Sequence, residues 1–331
     1  MKLQALGRRT LAVSLAFLAA CGGGGDSRNA MVPIAPGGTT TVAPPVASPP
    51  QEDPFVKRAL AGYVNTLRGA NSNGDFTRGN TFPAVAVPFG FNFWTPVNRD
   101  DSNWFYQFYE NVANNELLDK IMGFGVVHMP SPGIGNRQTM QIMPISKVDD
   151  QGNFITDKTG RAESFQRKNE IAKAHYYSLV FDNGQRTEIT PTDHAAYFRF
   201  TAPEKQQNMT VLFDLFAGGG NLQVDRVGKT ISGKADYVGD KNAPLIFFYA
   251  VFDAEIAKVQ GGTSFPSWVQ FDTQKTGKTV SMRIATSFIG VDQAKDNLAQ
   301  EIAAKSFDEV KQLAEGRLGR QAQHGPGRRR E

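Results

Sequence analysis

Hydrophobic and polar residues alternate in short runs along most of the chain, a pattern typical of half-buried β-strands. Two of these runs, 175–181 and 186–190, flank an Asn183-Gly184 pair, which predicts a tight hairpin between them. Six further runs follow: 195–200, 209–215, 229–232, 245–252, 267–271 and 279–285. Because turn residues separate the runs and no long helical periodicity lies between them, the sequence predicts an all-β body, a sandwich or a barrel.

Helical spacing of apolar residues is found chiefly after the last strand. The stripe consists of Ala294, Leu298, Ile302, Val310 and Leu313, and Asp292 is a plausible N-cap. We therefore expect one connecting helix over residues 291–316. A shorter helical segment is expected at 113–122.

The first 20 residues have the features of an export signal. Lys2, Arg8 and Arg9 make the start basic, and the apolar run 11–20 is shorter than the about 20 residues that a membrane-spanning helix needs. The run ends in Ala-Ala-Cys21, which resembles the lipobox of bacterial lipoproteins, and Cys21 is the only cysteine. The sequence predicts a lipoprotein signal peptide at 1–20, acylation of Cys21, and a protein exported to the periplasm or cell surface and anchored to a membrane. The alternative is an ordinary signal peptide followed by an incidental cysteine.

Composition changes sharply at both ends of the predicted body. Residues 21–52 are rich in Gly, Pro, Ser, Thr, Ala and Val and cannot bury enough apolar surface to fold, so a disordered tether is expected there. Residues 317–331 contain five arginines and one glutamate, a net charge of +4 that equals the net charge of the whole chain, and we expect a disordered basic tail. Since the rest of the chain is neutral overall, no nucleic-acid partner is expected.

Several segments of the body together resemble glycoside hydrolase family 92, the calcium-dependent exo-acting α-mannosidases. They occur in the family's order from about residue 63 to residue 310. The segments are 79–90 (GNTFPAVAVPFG), 121–132, 141–144, 176–179, 188–192, 197–200 and 287–302. The resemblance implies a large β-sandwich of the supersandwich type over residues 53–290, the N-terminal domain of such an enzyme.

The resemblance also implies a second domain, an (α/α)6 barrel that carries the catalytic carboxyl groups and most calcium ligands. The family's catalytic pair lies beyond Glu331, so no catalytic residue, metal ligand or cofactor is expected within this chain. The natural packing partner of the sandwich would be that barrel, and its substrate a mannose-containing glycan. His128, Trp104 and Asn80 are the candidate substrate-binding residues, although Asn136 and Gly133 depart from the family pattern near His128. Trp94 is a weaker candidate, because tryptophan is more often buried in a core.

Codons permitted for 317–331, shifted by one base, can encode a family-like continuation, which predicts a truncated or frameshifted member that is inactive alone. Leu298, Ile302, Val310 and Leu313 would then be partly uncovered and promote aggregation. The alternatives are a natural basic tail and, for function, a free-standing surface-tethered carbohydrate-binding lipoprotein.

Overall fold

The computed structural model describes residues 60–70, 79, 81–99, 106–107, 119–127, 138–215, 219–236 and 245–323. The chain divides into two units, Met1–Gln51 and Glu52–Glu331, and all described residues belong to the second. The predicted signal peptide, Cys21 and the whole predicted tether lie outside the described residues, which begin at Leu60. Among those that are described, no helix has the length and hydrophobicity needed to cross a membrane.

The fold is built from two antiparallel sheets. The smaller has six strands in the order β1-β3-β4-β9-β14-β13. Its strands are β1 (Phe93–Val97), β3 (Gly123–Val127), β4 (Gln138–Ile145), β9 (Asn208–Leu215), β13 (Ile256–Gln260) and β14 (Ser267–Asp272). The edge strands of this sheet are thus β1 and β13.

The larger sheet has nine strands in the order β10-β11-β12-β15-β8-β7-β6-β5-β2. Its strands are β2 (Lys120–Ile121), β5 (Glu163–Lys173), β6 (Tyr176–Phe181), β7 (Arg186–Pro191), β8 (Ala195–Thr201), β10 (Gly220–Asp225), β11 (Thr230–Ala235), β12 (Ile246–Phe252) and β15 (Thr279–Ser287). The remaining elements are a 3₁₀ helix, Leu60–Tyr63, and the helices α1 (Lys158–Arg161), α2 (Val291–Glu301) and α3 (Phe307–Gln323). The prediction of an all-β sandwich is confirmed.

The main core includes aromatic residues contributed by both sheets. Trp94, Phe124 and Phe213 of the six-stranded sheet and Phe198 and Phe248 of the nine-stranded sheet are all fully buried in one cluster. Trp94 meets Phe198 edge to face, with ring centroids 5.2 Å apart. Such aromatic pairs contribute about 0.5–1.5 kcal/mol beyond their buried area. Trp94 is therefore a core residue and does not offer a face to a sugar.

The predicted Asn-Gly hairpin joins β6 to β7. Gly184 has a φ of 85°, a conformation that glycine adopts without steric cost. Its amide donates to the Phe181 carbonyl at 2.9 Å, and the Asn183 side chain accepts from the Gln185 amide at 2.9 Å. This local chemistry fixes the register of the two strands.

The helical segments differ from their prediction in three respects. The single helix expected at 291–316 is two helices, because Ser306 and Glu309 form a reciprocal capping box that starts α3. Helix α3 continues to Gln323, so the segment expected to be disordered from Arg317 begins as helix; Arg, Leu, Gln and Ala are good helix formers. Residues 120–121 of the helix expected at 113–122 form β2 instead, while 113–118 lie outside the described residues.

Helices α2 and α3 cover the outer face of the nine-stranded sheet. Leu298, Ile302 and Val310 are at most 5% exposed and pack with Tyr176 and Tyr197 of that sheet. The expectation that these three residues are partly uncovered is therefore wrong, since the sheet itself buries them. Leu313, which is 52% exposed, is the one member of the set that fits the expectation.

Candidate functional site

The four site residues predicted from the sequence, Cys21, Asn80, Trp104 and His128, lie outside the described residues. The structure therefore tests neither the lipidation site nor the three sugar-contacting candidates. Described residues beside Asn80 are well ordered by hydrogen bonds, since Thr81 donates to the carbonyls of Gly69 and Arg68. The candidate site described below is built from other residues of the same signature segments.

Phe89 is the most conspicuous residue of the signature segment 79–90. Its side chain is 90% exposed and its backbone has a φ of 59°. A left-handed conformation is unfavourable for a residue other than glycine, and such strain concentrates at functional sites. The turn closes through the Gly90 amide, which donates to the Val87 carbonyl at 3.1 Å. A Cβ on Gly90 would lie 3.2 Å from that carbonyl oxygen, so glycine fits this tight turn best.

The loop that carries Phe89 is hydrogen-bonded to the turn between β7 and β8. The Phe91 amide donates to the Asp193 carbonyl at 2.7 Å, and the Asn92 side chain donates to the His194 carbonyl at 2.6 Å. Asn92 is fully buried and also accepts from the Thr286 hydroxyl at 2.9 Å. A buried amide satisfied in this way holds the two loops and the end of β15 together.

Glu301, the last residue of α2, contacts the same turn. Its carboxylate lies 2.7 Å from the His194 Nδ1 and accepts from the His194 amide at 2.9 Å and from the Thr192 hydroxyl. The His194 ring stacks on Phe91, with centroids 5.0 Å apart. Through His194, Glu301 thus connects α2 to the loop that carries Phe89.

Helix α3 reaches the turn through Arg317. Its guanidinium pairs with the Asp193 carboxylate at 2.8 Å. A cavity of about 260 Å³ lies between α3 and the turn. Its lining includes Val87, Leu313, Arg317 and Arg320. Asp193 and Glu301 also line it, so the cavity combines apolar side chains with two cationic and two anionic groups.

Exposed apolar residues from a third loop lie beside Phe91. Phe288 is 38% exposed, with its ring centroid 4.7 Å from that of Phe91, and Ile289 is 80% exposed. We call the three loops 87–92, 192–194 and 287–290 the loop face. It lies at one end of the sandwich and joins the first strand of the six-stranded sheet to β7, β8 and β15 of the other. Exposed apolar surface of this kind is found at interaction sites.

A polar network under α3 fixes the sheet beneath this region. Arg199 donates to both oxygens of Glu188, at 2.7 and 2.9 Å, and the Tyr176 hydroxyl donates to Glu188 at 2.6 Å. Arg199 also lies over the Phe307 ring, 4.2 Å from its centroid. Burial raises the pKa of Glu188, but the hydrogen bonds from Arg199 and Tyr176 outweigh burial and leave the pKa below its usual value.

A second polar network fixes Tyr106, two residues after Trp104. Its hydroxyl lies 2.8 and 2.7 Å from the two oxygens of Glu170, which also accepts from Tyr177 at 2.7 Å. A register shift between β5 and β6, from Phe165 to Glu170, brings these groups together. Burial raises the pKa of Glu170, against the opposing hydrogen bonds from Tyr177 and Tyr106.

The carboxylates at the loop face and on α2 beside it serve a positioning role. Asp193 is paired with Arg317, and Glu301 is occupied by Thr192 and His194. In the part of the chain that is described, no group of three or more His, Cys, Asp or Glu residues is suited to holding a metal ion. The chemistry that the contacts of Asp193 and Glu301 support is packing between elements.

Sequence reasoning named the segments of the loop face without singling out its residues. Phe89, Thr192 and Glu301 all fall in segments that carry the family resemblance. The signal was the resemblance itself, because nothing local in the sequence indicates that His194 meets a carboxylate 107 positions away.

Comparison with known proteins agrees with this architecture. Residues 63–287 match the glycosyl hydrolase family 92 N-terminal domain. An uncharacterized secreted glycosidase of Arthroderma benhamiae is 26% identical over 290 residues, which cover 74% of this chain and 35% of that protein. The structure of a family 92 inverting mannosidase of Bacteroides thetaiotaomicron superposes with a TM-score of 0.68 at 26% identity, over 78% of this chain and 36% of that one.

A second α-mannosidase structure from Bacteroides thetaiotaomicron has a TM-score of 0.65 at 21% identity, covering 80% of this chain and 38% of that one, and shows the shared fold. The sandwich is thus of the class found as the N-terminal domain in glycosidases of this kind. The chain belongs to glycosyl hydrolase family 92, through its N-terminal domain. It spans just over a third of the length of these relatives.

Proposed function

We propose that this chain is the N-terminal domain of an exported α-mannosidase that processes mannose-containing glycans. In this proposal the loop face packs against the catalytic barrel and contributes Phe89 and its neighbours to the rim of the mannoside pocket. The observation that carries the proposal is the exposure of Phe89, with its unfavourable positive φ, in the same family-signature loop as Phe91, whose ring meets Phe288. Backbone strain of this kind clusters at residues that contact a ligand or a partner.

The positions of Glu301 and Arg317 support this role. Glu301 of α2 and Arg317 of α3 both contact the 192–194 turn, to which the Phe89 loop is hydrogen-bonded. A catalytic domain that follows α3 would therefore be coupled mechanically to the loop face. Such support is what a binding loop needs, because contact geometry depends on the residues behind it.

The proposal includes export and tethering. The Arthroderma relative is described as a secreted glycosidase, which supports export. Acylation of Cys21 and the tether over 21–52 would hold the body near a membrane surface while leaving it able to reach a bulky glycan. If Cys21 is acylated, Cys21→Ser releases the protein from the membrane fraction; identical partitioning of variant and parent removes the anchor from the proposal.

A hydrolysis assay of the chain alone tests whether the catalytic groups lie outside this domain. Inverting glycosidases place two carboxyl groups about 6.5–9.5 Å apart with room for a water. Asp193 of the loop face and Glu301 of α2, which contacts it, are committed to structural contacts. We therefore expect no hydrolysis of aryl α-mannosides or α-mannotriose by this chain, with or without calcium. Calcium-dependent turnover above that of a heat-inactivated sample would overturn the proposal.

One observation favours a second function, a free-standing surface-tethered carbohydrate-binding lipoprotein. Leu298, Ile302 and Val310 are buried by the sheet rather than left for another domain. A domain whose sheet already buries the apolar faces of its helices is able to fold without another domain. A mannan pull-down by the chain, lost in Phe89→Ala, would support this function.

A further inference from the structure

A second concave surface lies at the opposite end of the sandwich from the loop face. The β10–β11, β12–β13 and β14–β15 turns converge there around a cavity of about 530 Å³. The volume falls within the about 300–1,000 Å³ typical of small-molecule sites. Strands β10 and β13 are edge strands of the two sheets, so the cavity lies across the gap between the sheets. We call it the turn groove.

Charged groups of both signs line the turn groove in equal number. They are Arg226, Lys229, Lys275, Asp253, Glu255 and Asp272. Within the described part of the chain, no ion pair links two of these six side chains. Opposite charges that share a cavity without pairing are available to a ligand, and their sum of zero gives no preference for a polyanion.

Hydrogen bonds to the backbone hold some of these groups in place, so the turn groove is partly preformed. Arg226 donates to the carbonyls of Ile256 and Ala257, at 3.2 and 2.7 Å, and so bridges the two sheets. One oxygen of Asp253 accepts from the Ser281 amide at 2.8 Å, which leaves its other oxygen for a ligand.

Asp272 is held in the same way by the Gln274 amide, at 3.0 Å. Lys229 has a φ of 56°, an unfavourable conformation for lysine that places a cation at the turn. Buried Ala254 and Ile256 form an apolar floor.

We propose that the turn groove is a second ligand site, for a neutral, hydroxyl-rich ligand such as a short glycan. A sugar hydroxyl both donates and accepts, so it is satisfied by a carboxylate on one side and an ammonium group on the other. Lysines and carboxylates supply that pairing here, and the Ala254–Ile256 floor suits the C–H surface of a sugar ring. The site would bind glycan away from the loop face and does not depend on the function proposed for that face.

Titration of the full chain with α-mannotriose, followed by calorimetry and NMR chemical shifts, tests the site. The turn groove predicts saturable binding with a Kd of about 1 mM or tighter and shifts at the amides of Glu255, Lys275 and Thr276. Glu255→Gln and Lys275→Gln should each weaken binding about tenfold. Matched controls are Glu204→Gln and Lys168→Gln, exposed residues that do not line the turn groove, and these should leave the affinity unchanged.

Three outcomes would overturn the site. The first is the absence of saturable binding of α-mannotriose in that range. The second is binding that the two groove variants leave intact but Phe89→Ala abolishes, which would assign the sugar to the loop face instead. The third is saturable binding of inorganic phosphate at the same amides in place of α-mannotriose. Unchanged thermal unfolding of Glu255→Gln and Lys275→Gln establishes that lost binding is not lost folding.

Discussion

At the scale of single residues, two buried carboxylates on either side of β6 have pKa values shifted in opposite directions. Arg199 and Tyr176 hold the pKa of Glu188 below its usual value, whereas burial raises that of Glu170. The difference arises from the partners, since Glu188 faces a bidentate guanidinium and Glu170 chiefly faces tyrosine hydroxyls. The two residues therefore make opposite contributions to stability as pH changes.

We expect Glu188→Gln to destabilise the fold by about 2 kcal/mol at neutral pH, because it removes charge-assisted hydrogen bonds. A lowered folded pKa gives stability that is present above the unfolded value of 4.5 and lost as pH falls through the folded pKa. The effect of Glu188→Gln should therefore shrink in acid. Urea unfolding of parent and variant from about pH 3 to pH 7 measures this, with Glu204→Gln as the control.

Glu170→Gln should show the reverse trend. A raised folded pKa gives stability that is fully present below the unfolded value of 4.5 and is lost as pH rises through the folded pKa. The cost of Glu170→Gln should consequently be largest in acid and decrease towards neutral pH. Parallel pH profiles for the two variants would contradict the assignment of these networks.

At this scale the sequence predicted little of the site. The signature segments were found, but the residues that act within them were not, because their roles depend on contacts between distant parts of the chain. The Asn92 amide, for example, meets the carbonyl of His194, 102 positions later. Local patterns carry no record of such a pairing.

At the level of secondary structure, the eight runs predicted to be strands all formed strands close to their expected bounds, whereas seven other strands of the described residues, β4 and β5 among them, were not predicted. The runs 195–200 and 209–215 became β8 and β9, and the Asn-Gly pair formed the β6–β7 hairpin. Alternation and turn chemistry are local properties and were sufficient for these elements. The helices were less predictable: the Ser306-x-x-Glu309 spacing of a capping box is present in the sequence, but the intermittent apolar stripe predicts one helix.

The capping box makes a testable contribution. Ser306→Ala removes the hydroxyl that accepts from the Glu309 amide and donates to its carboxylate. We expect a loss of about 1 kcal/mol in the free energy of unfolding. Ser306→Thr keeps the hydroxyl and should lose much less. If chemical denaturation shows equal losses for both variants, the helix start does not depend on this box.

At the scale of the whole molecule, burial of the helices changes the expected behaviour of the protein. Sequence analysis predicted aggregation through Leu298, Ile302 and Val310, but all three are buried against the nine-stranded sheet. Which face of a sheet a helix covers depends on topology, so the sequence pattern alone could not decide it. Among the described residues, Phe89 and Ile289 of the loop face are two of the most exposed large apolar side chains.

Self-association should therefore arise from the loop face. We expect Phe89→Ser combined with Ile289→Ser to reduce concentration-dependent association in sedimentation velocity, because exposed apolar surface drives it. Val227→Ser, at a residue that is 93% exposed in the β10–β11 turn, is the matched control and should have little effect. Equal reductions in the two variants would mean that the loop face promotes association no more than any other exposed apolar residue does.

The central claim is that the sandwich serves a family 92 catalytic domain. The most direct measurement is the DNA sequence beyond the codon for Glu331, read in all three frames. We expect coding potential for an (α/α)6 barrel with a pair of catalytic carboxyl groups. DNA that encodes no barrel in any frame, together with a monomeric chain that captures mannan, would contradict the account and leave the free-standing binding lipoprotein in its place.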